Sequence, residues 1–195
     1  MKNKNSDKND KLIFITGNAG KAEYLSNFFH FPVDHLKLDL PEIQSLDLRT
    51  IVEDKAEKAF DKIRKPVLVE DVSLVFRDFK KLPGPLIKWF LETLGNEGLC
   101  RLLENRRDRS AVAEVNFGFC DRGGVKIFSG LVQGRIAEAP RGSAGFGWDP
   151  IFIPKGHQKT WAEMSAEEKH RTSMRRIALE KIKKFLSERF SIYGE

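Results

Sequence analysis

An α/β protein built on one elongated mixed sheet is what this sequence predicts, and three observations predict it. In the first half, short β-rich runs alternate with helical patterns. In the second half, a long segment of period two reaches a turn signal and folds back. The chain then closes on a long amphipathic stretch opened by a capping-box pattern.

The elements follow in order. Lys11 to Thr16 is a short apolar run that reads as a buried strand, broken by Gly17-Asn18-Ala19-Gly20. Lys21 to Phe29 carries Ala22, Leu25, Phe28 and Phe29 at helical spacing. Leu36 to Leu40 is a weaker strand stopped by Pro41. Leu48 to Ile63 is amphipathic, with Ile51, Val52, Ala56, Ala59, Phe60 and Ile63 on one face. Pro66 to Val69 is continuously apolar, the pattern of a strand buried on both faces, and it ends in Glu70-Asp71. After Pro83-Gly84-Pro85, helix is expected over Leu86–Leu94, with a further turn or two over Gly98–Leu103. Ala111, Ala113, Val115, Phe117 and Phe119 alternate as in a strand. Asp121-Arg122-Gly123-Gly124 turns the chain into Val125–Phe128 and Leu131–Ile136, making a hairpin. Pro150–Pro154 is one more strand, and Ser165–Phe190 is expected as a single final helix.

At 195 residues, with 41% hydrophobic and 32% charged side chains, the chain has an ordinary globular composition. Residues 1–10 read as a disordered polar tail and 11–195 as one domain of two lobes. No apolar run approaches the roughly 20 residues that span a membrane. Two cysteines without metal-ligand or redox spacing point to a reducing cytoplasm. The four histidines are scattered, at no metal-site spacing. A net charge of +6 favours anionic partners. The basic residues are spread along the chain, which argues against specific nucleic-acid binding and leaves phosphorylated small molecules as the favoured class.

Four clusters carry chemistry. Thr16-Gly17-Asn18-Ala19-Gly20-Lys21 leads from a strand into a helix, where free backbone N–H groups and the positive dipole end can seat phosphate, the alternative being an ordinary strand-to-helix turn. It is neither a Walker A loop nor a dinucleotide fingerprint. Glu70-Asp71 closes a buried strand, and buried carboxylates need a cationic partner such as Mg²⁺; the alternative is a helix-capping acid at a strand-to-loop exit. Glu42 lies in a turn after Pro41 and offers a further carboxylate, the alternative being a surface acid. Gly145-Phe146-Gly147-Trp148-Asp149-Pro150 sets aromatics on a glycine-bracketed turn that a flat ligand can approach closely, beside an acid that accepts its hydrogen bonds; the alternative is a core aromatic on a turn. Lys169 and Ser173, four apart on the last helix, share a face, whereas Arg175 points elsewhere unless that helix is interrupted.

Together these clusters resemble the inosine triphosphate pyrophosphatase family. The resemblance runs from about Leu12 to Leu186, through Thr16–Lys21, Leu40-Pro-Glu-Ile-Gln44, Val67–Asp71, Leu82–Leu91, Ala139-Pro-Arg-Gly142, Phe146–Pro150 and Thr160–Met164. The Leu82–Leu91 stretch is similar to the eukaryotic-type branch. The resemblance implies an elongated mixed sheet with two lobes around a deep nucleotide cleft, a homodimer, and Mg²⁺-dependent hydrolysis of ITP, dITP and XTP to monophosphate and pyrophosphate, with Mn²⁺ as a substitute metal. It implies that Thr16, Gly17, Asn18, Ala19, Gly20, Lys21 and Lys55 hold the triphosphate. Glu42 and Asp71 would bind the metal with Glu70 beside them, Asp71 being the general base and Lys21 also catalytic. Phe146, Gly147, Trp148 and Asp149 would receive the purine, and Lys169, Ser173 and Arg175 would contact the nucleotide. One position departs: Met174 stands where the family's motif has a histidine that helps bind the base. A thioether cannot donate a hydrogen bond at a purine edge. An altered base preference therefore stays open beside the ITP reading, as does a non-catalytic nucleotide-binding module.

Overall fold

The computed structural model describes residues 12–17 and 19–190. The expected tail at 1–10 and Asn18 lie outside the described residues. The elements are β1 (Leu12–Ile15), α1 (Ala19–Phe29), β2 (Val33–Leu36), α2 (Leu48–Ile63), β3 (Val67–Phe76), β4 (Pro83–Gly84), α3 (Ile87–Arg101), β5 (Ser110–Asp121), β6 (Gly124–Ile136), β7 (Phe152–Pro154), α4 (Ala166–Thr172) and α5 (Met174–Phe190). One mixed sheet runs β2-β1-β3-β5-β6-β7, with β4 paired to β3. β2, β1 and β3 are parallel; β3, β5, β6 and β7 are antiparallel.

The pleat of β3 assigns the two cores. Leu68, Leu74 and Phe76 join one hydrophobic cluster with α1, α3 and α5, while Val67 and Val69 face the other, beneath α2. α2 is capped by Asp47, whose carboxylate accepts from the Arg49 N–H. It lies close to β5 because residue 118 is glycine: a Cβ there would meet Val52 Cγ1 at 2.9 Å.

Several elements differ from the sequence reading. β2 occupies Val33–Leu36, not Leu36–Leu40, because Val33 to Leu36 pair in register with Leu12 to Ile15. β3 does not stop at Val69. It carries Glu70 and Asp71 in mid-strand and continues to Phe76, since its inward alternation resumes past the acids and β5 pairs with its whole length. The return strand begun at 125–128 continues through 131–136 as expected, as β6. The final helix breaks at Ser173, whose extended backbone (φ −78°, ψ 132°) separates α4 from α5. Ser165 supplies the expected capping box.

The start of α5 packs directly onto β6. A Cβ at Gly130 would sit 1.9 Å from the Met174 carbonyl oxygen and 3.0 Å from the Ala178 nitrogen. Gly130→Ala is therefore expected to lower unfolding free energy by about 1–3 kcal/mol, the range for overpacking. Urea denaturation checks this.

Candidate active site

β1 ends at Ile15 while β3 runs on beside it, and the cleft opens in the gap this leaves. Two adjoining cavities share Phe14, Lys21 and Glu70. One, of about 660 Å³, is polar and lined by Thr16, Gly17, Lys37, Asp39, Glu42, Lys55 and Lys88. The other, of about 730 Å³, is largely apolar and lined by Tyr24, Leu25, Phe146, Ala166, Lys169, His170, Ser173 and Arg175. A small recess beneath it reaches Trp148, Asp149, Trp161 and Met174.

Glu70 holds the middle. Because the strand is pleated, Glu70 and Asp71 leave β3 on opposite faces, so their adjacency in sequence does not make one cluster. Glu70 turns toward α1 and α5. Its Oε2 accepts from Arg175 Nε at 2.7 Å, its Oε1 from Arg175 Nη2 at 2.9 Å, and Lys21 Nζ lies 3.3 Å from Oε1. Burial alone would raise the Glu70 pKa, but Arg175 and then Lys21 outweigh it and hold the carboxyl below its ordinary value. Arg175 reaches this position because the break at Ser173 resets the helix phase, and Ser173 Oγ accepts from the Arg175 N–H at 3.1 Å.

Asp71 turns toward α2. Lys55 Nζ stands between Glu42, at 2.7 Å, and Asp71, at 3.7 Å. Burial is the main cause that raises the Asp71 pKa; the Lys55 charge and the Val72 N–H oppose it. Among the described residues no three His, Cys, Asp or Glu side chains gather as a metal site. Two carboxylates converging on one ammonium beside a polar cavity still fit a hard divalent ion that takes its remaining ligands from phosphate and water.

At the other end, the turn 145–149 presents Phe146, which is 63% exposed and lines the apolar cavity. Lys169 Nζ stands 5.0 Å over its ring. Asp149 is buried, accepts from the Phe146 N–H at 2.7 Å and is ion-paired to Lys169. Trp148 does not face the apolar cavity. It packs with Phe152 and Trp161 at centroid distances of 5.7 and 5.5 Å and lines the small recess. Met174 is likewise buried, in the cluster beneath the cleft, and lines only the small recess. Ala19 and Gly20 form the first turn of α1, which begins two residues earlier than the sequence pattern indicated.

Several cavity-lining residues were not singled out by the sequence reading. Lys37 and Lys88 add charge to the polar cavity. Tyr24 Oη lies 3.2 Å from His170 Nδ1 on the wall of the apolar one. Lys88 sits in the Leu82–Leu91 motif, and Tyr24 is one helical turn beyond Lys21; these spacings were the available clues.

A model of the Ham1 family matches residues 12–185. The chain is 46% identical over 179 residues to inosine triphosphate pyrophosphatase 2 of Trypanosoma cruzi, covering 90% of this chain and 91% of that one. It is 41% identical over 175 residues to a dITP/XTP pyrophosphatase of Methanopyrus kandleri, covering 88% and 93%. A solved Ham1 protein from Staphylococcus aureus superposes with a TM-score of 0.81 at 26% identity, covering 92% and 99%.

If the Arg175–Glu70 pair neutralises the buried strand charge, Arg175→Met is expected to cost roughly 3–5 kcal/mol of stability, because it strands a buried carboxylate. Glu70→Gln in that background should recover part of the loss. Urea denaturation of the two variants measures both effects.

Proposed function

We infer, from the two-ended cleft and from the fact that the chain belongs to the Ham1 family, that it hydrolyses non-standard purine nucleoside triphosphates (ITP, dITP and XTP) to the monophosphate and pyrophosphate. The observation that carries this reading is the division of the cleft. A lysine-lined polar cavity at the start of α1 adjoins an apolar cavity floored by an exposed phenylalanine. That arrangement suits a triphosphate at one end and a flat base at the other, and the relatives' names give the chemistry.

Gly17 and the first turn of α1 receive phosphate through backbone N–H groups, with Thr16 lining the same cavity while its own N–H is held by the Leu36 carbonyl. Lys21 and Lys55, with Lys37 and Lys88, offset the charge of the leaving pyrophosphate. Glu42 and Asp71 would hold Mg²⁺, or Mn²⁺ in its place, which when bound neutralises charge on the phosphate oxygens. Asp71 takes the proton from the water that attacks the α-phosphorus; burial raises its pKa and makes it a better base than an exposed aspartate. The bond from water oxygen to α-phosphorus forms as the bond to the pyrophosphate oxygen breaks. Phe146 stacks on the base, and Arg175 donates to a 6-oxo group, where adenine would present an amino donor instead. Because Met174 is packed in the core, its thioether leaves the base edge to Arg175, Lys169 and Asp149. One two-lobed catalytic domain acting as a homodimer in the cytoplasm completes the reading. The buried free thiols Cys100 and Cys120 support a reducing compartment. No helix among the described residues is long and apolar enough to cross a membrane.

Pyrophosphate release from ITP, XTP, GTP and ATP, with Mg²⁺ and with EDTA, tests this. Metal-dependent release selective for ITP and XTP is expected; comparable release from GTP or ATP would overturn the specificity, and none from any would overturn the activity. Asp71→Asn should lower kcat at least about 10²-fold, the lower range for losing a positioned base, with the fold intact by circular dichroism.

A further inference from the structure

We propose that Asn96 is a positioning residue for the nucleobase end of the cleft: its side-chain amide fixes the turn that presents Phe146 and acts on the substrate only through that ring. This rests on the reading above, in which the base lies on Phe146.

Phe146 stands between two glycines with left-handed backbones, Gly145 at φ 80° and Gly147 at φ 63°. Such a pair leaves the intervening residue free to swing unless both sides are tethered. The N-terminal side is tethered by Asp149, which accepts from the Phe146 N–H and is itself gripped by Lys169. On the C-terminal side, Asn96 Nδ2 donates to the Gly147 carbonyl oxygen at 2.9 Å from another element of the fold. Among the described residues, no other side chain bonds the backbone of Gly147 or Trp148.

Helix α3 is shaped to make this contact. Gly95, immediately before Asn96, leaves the helical conformation at φ 64° and ψ 179°. A Cβ at Gly95 would meet nothing within 4 Å, so the glycine serves the backbone conformation and not close packing. One turn earlier, Leu91 approaches Gly147 to within ordinary van der Waals distance of where a Cβ would stand. The second, independent observation is the other half of the Asn96 amide. Its Oδ1 is buried with no hydrogen-bond partner. An orphaned acceptor is a poor choice for packing alone; what the amide gains in exchange is the bond to the turn. Activity and stability should therefore separate when it is removed.

The test uses the full chain. In Asn96→Ala, hydrogen exchange followed by mass spectrometry should quicken in the peptide spanning 145–149 and stay unchanged elsewhere, a readout that needs no substrate. KM for ITP should rise about five- to tenfold, the scale of one lost hydrogen bond, with kcat within twofold. The melting temperature should stay within about 2 °C of the parent, because an unpaired acceptor leaves with the donor. Asn96→Leu, which keeps the approximate size without the donor, should behave like alanine. In a Phe146→Ala background, Asn96→Ala should add no further effect on KM. Unchanged exchange at 145–149, an equal KM effect with and without Phe146, or a fall in melting temperature matched by equal losses in kcat and kcat/KM would each overturn the proposal. Failure of the parent protein to turn over ITP would sink the functional reading instead, and the exchange result would still decide the role of Asn96 in the turn.

Discussion

A carboxylate in the middle of a buried strand has to be paired, and much of this cleft is arranged around that requirement. Glu70 is enclosed on β3 between α1 and α5, where an unpaired charge would be costly. The bidentate guanidinium of Arg175 answers it, and the ammonium of Lys21 adds to it. For Arg175 to reach Glu70, the last helix must break at Ser173 and restart one residue later. For α5 to start there, β6 must offer Gly130 beneath the Met174 carbonyl. One ion pair thus ties together α1, which borders the polar cavity, and α5, which with α4 walls the apolar one.

The same pleat that buries Glu70 sends Asp71 the other way, to Lys55 and Glu42. Two neighbouring acids thereby take different work. Glu70, held below its ordinary pKa by fixed cations, is a structural anion and an anchor for Arg175. Asp71, its pKa pushed up mainly by burial, meets the Lys55 ammonium at 3.7 Å and accepts from the Val72 N–H. Environment, and not residue type, makes this division.

Much of the fold was legible in the sequence because its signals are local. Alternation over 111–119, the apolar face of 48–63 and the Ser165 capping box all correspond to observed elements. The failures share a cause in tertiary pairing. The end of β3 was read from its charges, yet ten ladder partners on β5 carry it through them. β2 was displaced toward leucines that pack from a loop, because its pairing with β1 is invisible to periodicity. At the site, side-chain direction was not legible in the sequence. Trp148 and Met174 face the core, a matter of which way a turn points, and the interrupted helix that would bring Arg175 beside Lys169 appeared in the sequence only as a condition on geometry. Asn96 could not have been found without the contact itself, since it lies 51 residues from the turn it holds.

The most direct test of the chemistry is to run ITP hydrolysis in ¹⁸O-labelled water with Mg²⁺ and locate the label by mass spectrometry. Attack on the α-phosphorus, beside Asp71, predicts ¹⁸O in the nucleoside monophosphate and none in the pyrophosphate. Label in pyrophosphate, or release of orthophosphate with a nucleoside diphosphate, would contradict the placement of the triphosphate and the role given to Asp71.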